Sequence, residues 1–208
     1  LLQNGERFGI KITYAEQSKP KGLPDAFIIG KKFINKDKIA LILGDNFFYG
    51  QSLTSKLKTC VKLNSGCKIL IHPVNKPELY GVVNTNYKNK ITSIKEKPTK
   101  TKSNLAITGL YFFDNKVIEY SKSLKPSKRN ELEIVDLLNK YRKKNKLNAE
   151  FVGRGGAWLD TGSIEDFYNT STFVATLENR QGFKIACLEE IALKYNWINK
   201  KGIKDAIK

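Results

Sequence analysis

Apolar residues recur with strand or helix periodicity through most of the first 75 residues. Gly9–Glu16 alternates apolar and polar side chains as a strand does, and Asp25–Ile34 carries apolar residues at helical spacing. Lys38–Gly44 is a continuous apolar run, typical of a strand that is buried on both faces. A predicted helix over Ser52–Leu63 separates it from a second buried strand at Lys68–Val74. Strands that alternate with helices predict an α/β fold with a mixed, mostly parallel sheet flanked by helices.

The pattern changes after residue 75, where strands follow one another without helices between them. Tyr80–Asn84, Ile91–Lys95 and Ala106–Phe113 read as strands separated by turn-rich segments, so we expect locally antiparallel or mixed pairing. The remaining elements predicted before residue 153 are helices at Val117–Lys122 and Leu132–Lys144 and a strand at Asn148–Val152.

From Ser163 to its end the chain is predicted to be helical. Ser163 is a good helix N-cap, and Glu165 and Asp166 suit the positive end of the helix dipole. Because no repeat, low-complexity block or linker interrupts the pattern, we predict a single domain of residues 1–208 with a C-terminal helical part from about residue 163.

Composition limits the possible classes of protein. The chain has 208 residues, 40% of them hydrophobic, but no apolar run approaches the roughly 20 residues of a membrane-spanning helix. The first residues lack the layout of a secretory signal, so we expect a soluble cytoplasmic protein without a membrane partner. Cys60, Cys67 and Cys187 match neither a disulfide framework nor a zinc spacing, and His72 is the single histidine.

The net charge of +17 suggests nucleic acid as one possible partner. However, five of the 37 basic residues are arginine, the side chain that base reading and bidentate phosphate binding favour. The lysines are spread through nearly every segment, which favours a solvated basic surface over a nucleic-acid footprint. A nucleic-acid-binding protein is therefore the alternative, and phosphorylated small molecules are natural partners.

Two aspartates follow predicted strands. Asp45 comes directly after Lys38–Gly44, where ligands bind in open α/β sheets, although Gly-Asp-Asn is also ordinary turn chemistry. Asp160 lies in GRGGAWLDTGS, again between apolar residues and a turn that contains glycine. If the two carboxylates meet above the sheet, they are suited to hold Mg²⁺ together with substrate phosphates.

Three further segments could contribute to a binding site. Glu96 and Lys97 end a strand just before a proline, where a rigid lysine could hold a sugar phosphate and the carboxylate could accept sugar hydroxyls. Gly81, after Tyr80, permits close approach of a ligand, but a hairpin would use a glycine there too. Between a strand and a helix, Gln17 offers an amide for a nucleobase edge and Gly22 leaves space beside it.

In their order and spacing these segments resemble the sugar-nucleotide pyrophosphorylases, and within them the members that use thymidine nucleotides. The resemblance extends over nearly the whole chain. The matching motifs are YAEQSKPKGLPDAFIIG, LILGDNFFYG, ELYGVV, IKEKP, AITGLYFFDN, KPSKRNELEIVD, GRGGAWLDTGS and ENRQGFKIACLEEIA. The resemblance implies a Rossmann-like sheet of the nucleotide-diphospho-sugar transferase type.

The resemblance also implies an activity and a set of site residues. A sugar 1-phosphate attacks the α-phosphorus of a nucleoside triphosphate and releases pyrophosphate, here with dTTP and glucose 1-phosphate as substrates and Mg²⁺ held by Asp45 and Asp160. Lys97 would hold the sugar phosphate, and Gln17 and Gly22 would read thymine. The sugar pocket would be lined by Tyr80, Gly81, Glu96, Ile107 and Trp158. A regulatory nucleotide-sugar site would fall near Tyr49, Gly50, Ala186, Glu190, Ile191 and Lys194.

The family also carries a glycine-rich phosphate loop that precedes the matched region. The sequence contains no methionine, so we expect a fragment, and we expect the 208-residue chain alone to have little or no activity. The full-length protein would be a homotetrameric enzyme that supplies deoxysugar, rhamnose and surface polysaccharide synthesis. The alternatives are a UTP- or CTP-dependent relative, the nucleic-acid-binding protein, and a regulatory subunit without catalysis. The presence of Asp45, Asp160 and Lys97 together argues against the regulatory subunit.

Overall fold

The computed structural model describes residues 2–207, with side chains described through residue 204. It contains two compact units, a larger one of residues 17–166 and a smaller one of residues 1–16 and 167–208. The assignment of the chain to one domain stays a prediction. Within residues 2–207, no helix combines the length and apolar character needed to cross a bilayer.

The larger unit holds the described strands, which form two sheets. The strands are β1 (Ile39–Ile42), β2 (Asn46–Gly50), β3 (Cys67–Pro73), β4 (Gly81–Thr85), β5 (Ile91–Glu96), β6 (Leu105–Phe113), β7 (Leu147–Phe151) and β8 (Gly156–Asp160). The helices, in chain order, are α1 (Asp25–Ile29), α2 (Lys31–Ile34), α3 (Leu53–Val61), α4 (Val117–Lys122), α5 (Ile134–Lys143), α6 (Ile164–Gln181), α7 (Leu188–Lys194) and α8 (Lys200–Ile207).

Strand β6 is the centre of the main sheet. It is largely apolar and almost entirely buried, as expected for a strand covered on both faces. β3 runs antiparallel along one edge, while β4 pairs with the start of β6 and β1 with its end. Since Val82 lies opposite Ala106 and Leu43 bonds to Gly109, the end of β1 and the start of β4 meet at one edge of β6.

β2 and β8 form a separate antiparallel ribbon that the sequence pattern did not predict. Their register places Asn46 opposite Asp160 and Phe48 opposite Trp158. β2 begins directly after Asp45, and β8 ends at Asp160, so each strand has one predicted metal ligand at its end. The ribbon therefore brings two segments more than 100 residues apart into a fixed alignment.

Hydrophobic clusters cover both faces of the main sheet. Phe113 faces one cluster, where it contacts Phe27 of α1 and Tyr141 of α5. The adjacent Phe112 faces the other cluster, which includes Cys60 of α3. Opposite orientation of successive strand residues places helices on both sides of the sheet, and the prediction of a mixed α/β fold flanked by helices is confirmed.

Three details of the predicted sheet are wrong. Gly9–Glu16 contains no strand, because Gly9 adopts a left-handed φ of 71° and the segment finds no strand partner in the described chain. Lys38–Gly44 forms only the short strand β1, which alternates between half-buried and exposed positions because β6 is its one partner. Among the described pairs only β3–β7 is parallel, so the sheet is mixed but not mostly parallel.

The helix predicted at Val117–Lys122 is confirmed as α4, and the other predicted elements are found with shifted ends. The helix expected at Asp25–Ile34 is divided into α1 and α2 at Gly30. α5 begins at Ile134 and not at Leu132, since the Leu132 N–H donates to the Lys21 carbonyl, 2.8 Å away, instead of entering the helix. The Ser163 cap is confirmed by the Asp166 N–H, 3.1 Å from Ser163 Oγ, but the following helical region is interrupted between α6 and α7.

Candidate active site

Asp45 and Asp160 are neighbours in the structure. Asp45 lies between β1 and β2, and Asp160 ends β8 opposite Asn46. Thr161 donates from both its backbone N–H and its hydroxyl to the Asp45 carbonyl, each over 2.8 Å. These bonds fix the two strand ends side by side, so the predicted convergence of the two aspartates is observed, while their role as metal ligands stays a prediction.

Burial raises the pKa of the Asp160 carboxyl, and the neighbouring Asp45 carboxylate raises it further. The Gly162 N–H, 3.2 Å from Asp160 Oδ1, and the positive charge of Lys97 act in the opposite direction. Two adjacent carboxylates repel one another, and a hard cation relieves that repulsion. In the described chain no group of three or more His, Cys, Asp and Glu side chains is arranged to hold a metal, so further oxygens would have to come from substrate or water.

The predicted sugar-pocket residues are also grouped. Gly81 lies opposite Glu96 in the β4–β5 pair. A Cβ added to Gly81 would lie 3.3 Å from Glu96 Oε2 and 3.4 Å from Ile107 Cδ1, so the three residues surround one space. The Tyr80 and Trp158 rings meet edge to face at 5.1 Å. Because Tyr80 adjoins Gly81 in the chain, these contacts join all five residues into one group.

Lys97 is held by its backbone in an uncommon conformation. Its φ of 39° is left-handed, and its N–H donates to the Tyr80 carbonyl over 3.0 Å. Such a conformation is unfavourable for a residue with a side chain and is concentrated at functional sites. Its charge lowers the pKa of Asp160, of Glu96 and of Glu133, so the ammonium acts electrostatically on all three carboxyl groups.

Sequence reasoning missed an acidic and basic network beside Glu96. Glu133 accepts hydrogen bonds from Ser127 Oγ at 2.6 Å and from Arg129 Nη2 at 2.8 Å. Burial raises the pKa of Glu96, and the Glu133 carboxylate raises it further, whereas Lys97 lowers it. These residues lie in KPSKRNELEIVD, one of the motifs that resemble the family. The sequence of that segment does not indicate that Glu133 acts on Glu96 or feels the charge of Lys97.

Gln17 and Gly22, which are predicted to bind the nucleobase, lie in one loop and are joined by a hydrogen bond. Gln17 Nε2 donates to Gly22 O over 3.3 Å and to Asp25 Oδ2 over 2.8 Å. Gly22 has a φ of 90°, and a Cβ there would lie 2.1 Å from the Leu132 carbonyl oxygen. Glycine is therefore needed for contact with the segment that leads into Glu133, in addition to any space it leaves for a base. No described contact joins Gln17 directly to Asp45 or Asp160.

Asn46 is a second residue that was missed. It follows Asp45, and its side chain bonds to Asp45, Gly109 and Trp158. Gly-Asp-Asn is also a common turn sequence, and no spacing rule predicts these three partners of Asn46.

The six predicted regulatory residues are divided between the two units. Tyr49 and Gly50 end β2 in the larger unit, while the others lie at or in α7 of the smaller unit, namely Ala186, Glu190, Ile191 and Lys194. Their grouping into one site stays a prediction. A cavity of about 640 Å³ in the smaller unit, lined by Trp197 among others, contains none of them.

The chain is similar to known nucleotidyl transferases. Residues 1–176 match the family model described as nucleotidyl transferase. A glucose-1-phosphate thymidylyltransferase of Neisseria meningitidis serogroup A is 47% identical over 205 residues, covering 99% of this chain and 71% of the relative. One from Mycobacterium tuberculosis H37Rv is 43% identical and covers 96% of this chain and 69% of the relative.

Solved structures show the same likeness. A Bacillus anthracis protein described as a glucose-1-phosphate thymidylyltransferase, in complex with sucrose, superposes with a TM-score of 0.75 at 36% identity over 83% of this chain and 68% of that one. A UDP-glucose pyrophosphorylase in complex with UDP-glucose superposes with a TM-score of 0.70 at 28% identity over 79% of this chain and 66% of that one.

Proposed function

Since the chain belongs to the nucleotidyl transferase family, we propose that the protein transfers a thymidylyl group from dTTP to glucose 1-phosphate. The products are dTDP-glucose and pyrophosphate. The observation that carries this proposal is the placement of Asp45 beside Asp160 at the end of the β2–β8 ribbon, within the electrostatic influence of Lys97. Thymidylyltransferases that are 43–47% identical over almost the whole chain support the choice of reaction.

The reaction needs positioning and charge neutralisation more than a protein nucleophile. A phosphate oxygen of glucose 1-phosphate forms the new bond to the α-phosphorus, and the bond from that phosphorus to the β-phosphate bridging oxygen breaks. The leaving pyrophosphate takes that electron pair. Lys97, fixed by its backbone, offsets the negative charge of the sugar phosphate, while Glu96 accepts hydrogen bonds from sugar hydroxyls.

Asp45 and Asp160 are the residues that would hold Mg²⁺. Their adjacency, and the effect of Asp45 on the pKa of Asp160, fit a divalent cation. When bound, the metal would offset charge on the phosphates. The Thr161 bonds to the Asp45 carbonyl keep the two carboxylates in place without occupying their oxygens.

A UTP-dependent reaction is the second candidate, because a UDP-glucose pyrophosphorylase shares the fold at 28% identity. Thymidylyl transfer is favoured by the greater identity to thymidylyltransferases. The experiment is to incubate the full-length protein with glucose 1-phosphate, Mg²⁺ and each of dTTP, UTP, CTP, ATP and GTP, and to measure pyrophosphate release. We expect the largest kcat/KM with dTTP, and a clear preference for UTP or CTP would contradict this assignment.

The metal assignment has its own test. In the full-length protein, Asp45→Asn and Asp160→Asn each remove a charge with little change of shape, so we expect kcat to fall by about 100-fold or more. Asp37→Asn, an exposed aspartate between α2 and β1, is the matched control and should leave kcat within a few-fold of the parent. Unchanged turnover in either site variant, with the fold retained by circular dichroism, would remove that residue from the metal site.

We propose further that the full-length protein is a cytoplasmic homotetramer that feeds deoxysugar, rhamnose and surface polysaccharide synthesis. The support is the resemblance in the motifs together with the nucleotide and sugar-phosphate substrates. Light scattering on the purified full-length protein tests the assembly, with four copies per particle as the expected result. A monomer at micromolar concentration would contradict it.

A further inference from the structure

We propose that Asn46 is a positioning residue that holds the metal-ligand side and the sugar side of the site in one fixed arrangement. The inference rests on the proposed function for its kinetic part and on geometry alone for its structural part. Nothing in the motifs assigned a role to this residue. It connects the Asp45 carboxylate, the Trp158 indole and the centre of β6 through a single amide group.

The amide oxygen is the acceptor of two hydrogen bonds. Asn46 Oδ1 lies 2.6 Å from Trp158 Nε1 and 3.0 Å from the Gly109 backbone nitrogen. Both partners can only donate, so the oxygen must face them, and the orientation of the amide is determined. The Nδ2 group then points toward Asp45 and donates to Oδ1 over 2.8 Å.

This bonding restricts Trp158 to one position. The indole is 8% exposed and borders Tyr80 at 5.1 Å and His72 at 6.5 Å, both with the rings nearly perpendicular. The ring contacts with Tyr80 and His72 restrain the indole but are not hydrogen bonds. The hydrogen bond to Asn46 Oδ1 therefore sets the rotation of the Trp158 ring. A buried indole N–H without this acceptor would lose a hydrogen bond.

Gly109 shows how closely the backbone holds the amide. A Cβ added at Gly109 would lie 2.6 Å from both Cγ and Oδ1 of Asn46 and 2.8 Å from Nδ2, so any side chain there displaces the amide. The φ of Gly109 is not in the left-handed region. Glycine is thus required at this position for space, and the space is occupied by Asn46.

The result is that Asp45 and Trp158 cannot move independently. A shift of the amide would move the carboxylate on one side and the wall of the sugar pocket on the other. Errors of ~1 Å in such geometry reduce rates by about 100-fold. An asparagine that merely satisfied the Gly109 N–H would have no such double effect.

The test uses variants that break the two links separately, in the full-length protein. Asn46→Ala removes both, whereas Asn46→Asp keeps an oxygen acceptor for Trp158 and loses the donor to Asp45. Gly109→Ala keeps the asparagine and displaces it. Asn84→Ala is the matched control, because Asn84 is also a half-buried strand amide, bonded to Ser93 Oγ at 2.9 Å.

The structural readout is the indole N–H resonance of Trp158 in protein labelled with ¹⁵N-tryptophan, identified by its loss in Trp158→Phe. We expect it to move upfield in Asn46→Ala and Gly109→Ala, to stay in place in Asn84→Ala, and to move downfield in Asn46→Asp, where a carboxylate is the stronger acceptor. This measurement requires no substrate. Failure of the proposed reaction therefore leaves it intact, and an unmoved resonance in folded Asn46→Ala overturns the inference whatever the activity.

The kinetic readout separates the two sides. Asn46→Ala should raise KM for glucose 1-phosphate and lower kcat, with kcat/KM reduced about 100-fold. Asn46→Asp should lower kcat with KM for the sugar phosphate almost unchanged. A normal kcat in Asn46→Asp overturns the link to Asp45. If circular dichroism shows that Asn46→Ala does not fold, Gly109→Ala and Asn46→Asp decide the matter by the same two readouts.

Discussion

Single residues at this site have backbone and side-chain requirements that go beyond residue type. Lys97 supplies a charge that acts on Asp160, and its backbone has a left-handed φ of 39°. Gly22 has a φ of 90°, and its missing side chain lets Leu132 approach. In both cases the local conformation is unfavourable for most residues and is maintained by hydrogen bonds from other segments.

Replacement of Gly22 tests this at the residue scale. Gly22→Ala introduces a Cβ 2.1 Å from the Leu132 carbonyl at a left-handed φ, so the loop must move. We expect a loss of about 1–3 kcal/mol in the free energy of unfolding and a higher KM for dTTP, since the loop also holds Gln17. Urea denaturation and steady-state kinetics measure the two effects.

Gly155→Ala provides the comparison, because no atom lies within 4 Å of the added Cβ and its φ is not left-handed. This variant should unfold at nearly the parent urea concentration. Equal stability of Gly22→Ala and Gly155→Ala would show that the close approach to Leu132 has no energetic importance.

Among the elements, β6 organises the larger unit from its centre to its end. Its residues Ala106 to Gly109 align β4 and β1 above the site, and Asp114 follows directly after Phe113. The buried Asp114 carboxylate accepts bonds from the Gly66 N–H at 2.6 Å and the Tyr141 hydroxyl at 2.8 Å. One carboxylate therefore joins the end of β6 to the start of β3 and to α5.

The element-scale prediction concerns that junction. Tyr141→Phe removes the hydroxyl donor and leaves the buried carboxylate with fewer partners, so we expect a loss of about 1–3 kcal/mol in unfolding free energy. Tyr111→Phe is the control, since Tyr111 is also a buried tyrosine, whereas the bonds to the Asp114 carboxylate come from Gly66, Lys116 and Tyr141. Urea denaturation at pH 7 compares them, and equal effects of the two changes would contradict a specific role for the Asp114 contact.

For the whole molecule, the dominant property is the charge of +17. Such a charge attracts any polyanion without sequence preference, and that attraction weakens as salt rises. The proposed substrates, in contrast, bind through a few fixed groups around Asp45, Lys97 and Gly81. The two kinds of binding therefore differ in how they respond to ionic strength.

We expect the affinity of the full-length protein for duplex DNA of arbitrary sequence to fall steeply as salt is raised from 50 to about 200 mM, because counterion release dominates that binding. Binding of dTTP with Mg²⁺ should fall much less over the same range. Fluorescence polarisation with labelled DNA and calorimetry with dTTP measure the two affinities. Tight DNA binding at physiological salt without a preference for dTTP would favour the nucleic-acid alternative.

Sequence patterns were sufficient where local chemistry decides the outcome. The strand β3, the helix α4 and the Ser163 cap occur where periodicity and capping preferences predicted them. Periodicity failed at Gly9–Glu16, because an alternating pattern is necessary for a half-buried strand but the backbone must also find a partner. It also missed β2 and β8, whose five residues each are too few to show a clear period and which are strands only through each other.

By itself the sequence determined the family, the α/β class and the residue types available for chemistry, because motifs and their order depend only on the chain. The tertiary structure decided which of those residues act together. It placed Asp45 beside Asp160, brought the charge of Lys97 to act on Asp160, and gave Asn46 three partners from three segments. The physical reason is that register and close packing are properties of paired segments, which no single stretch of sequence contains.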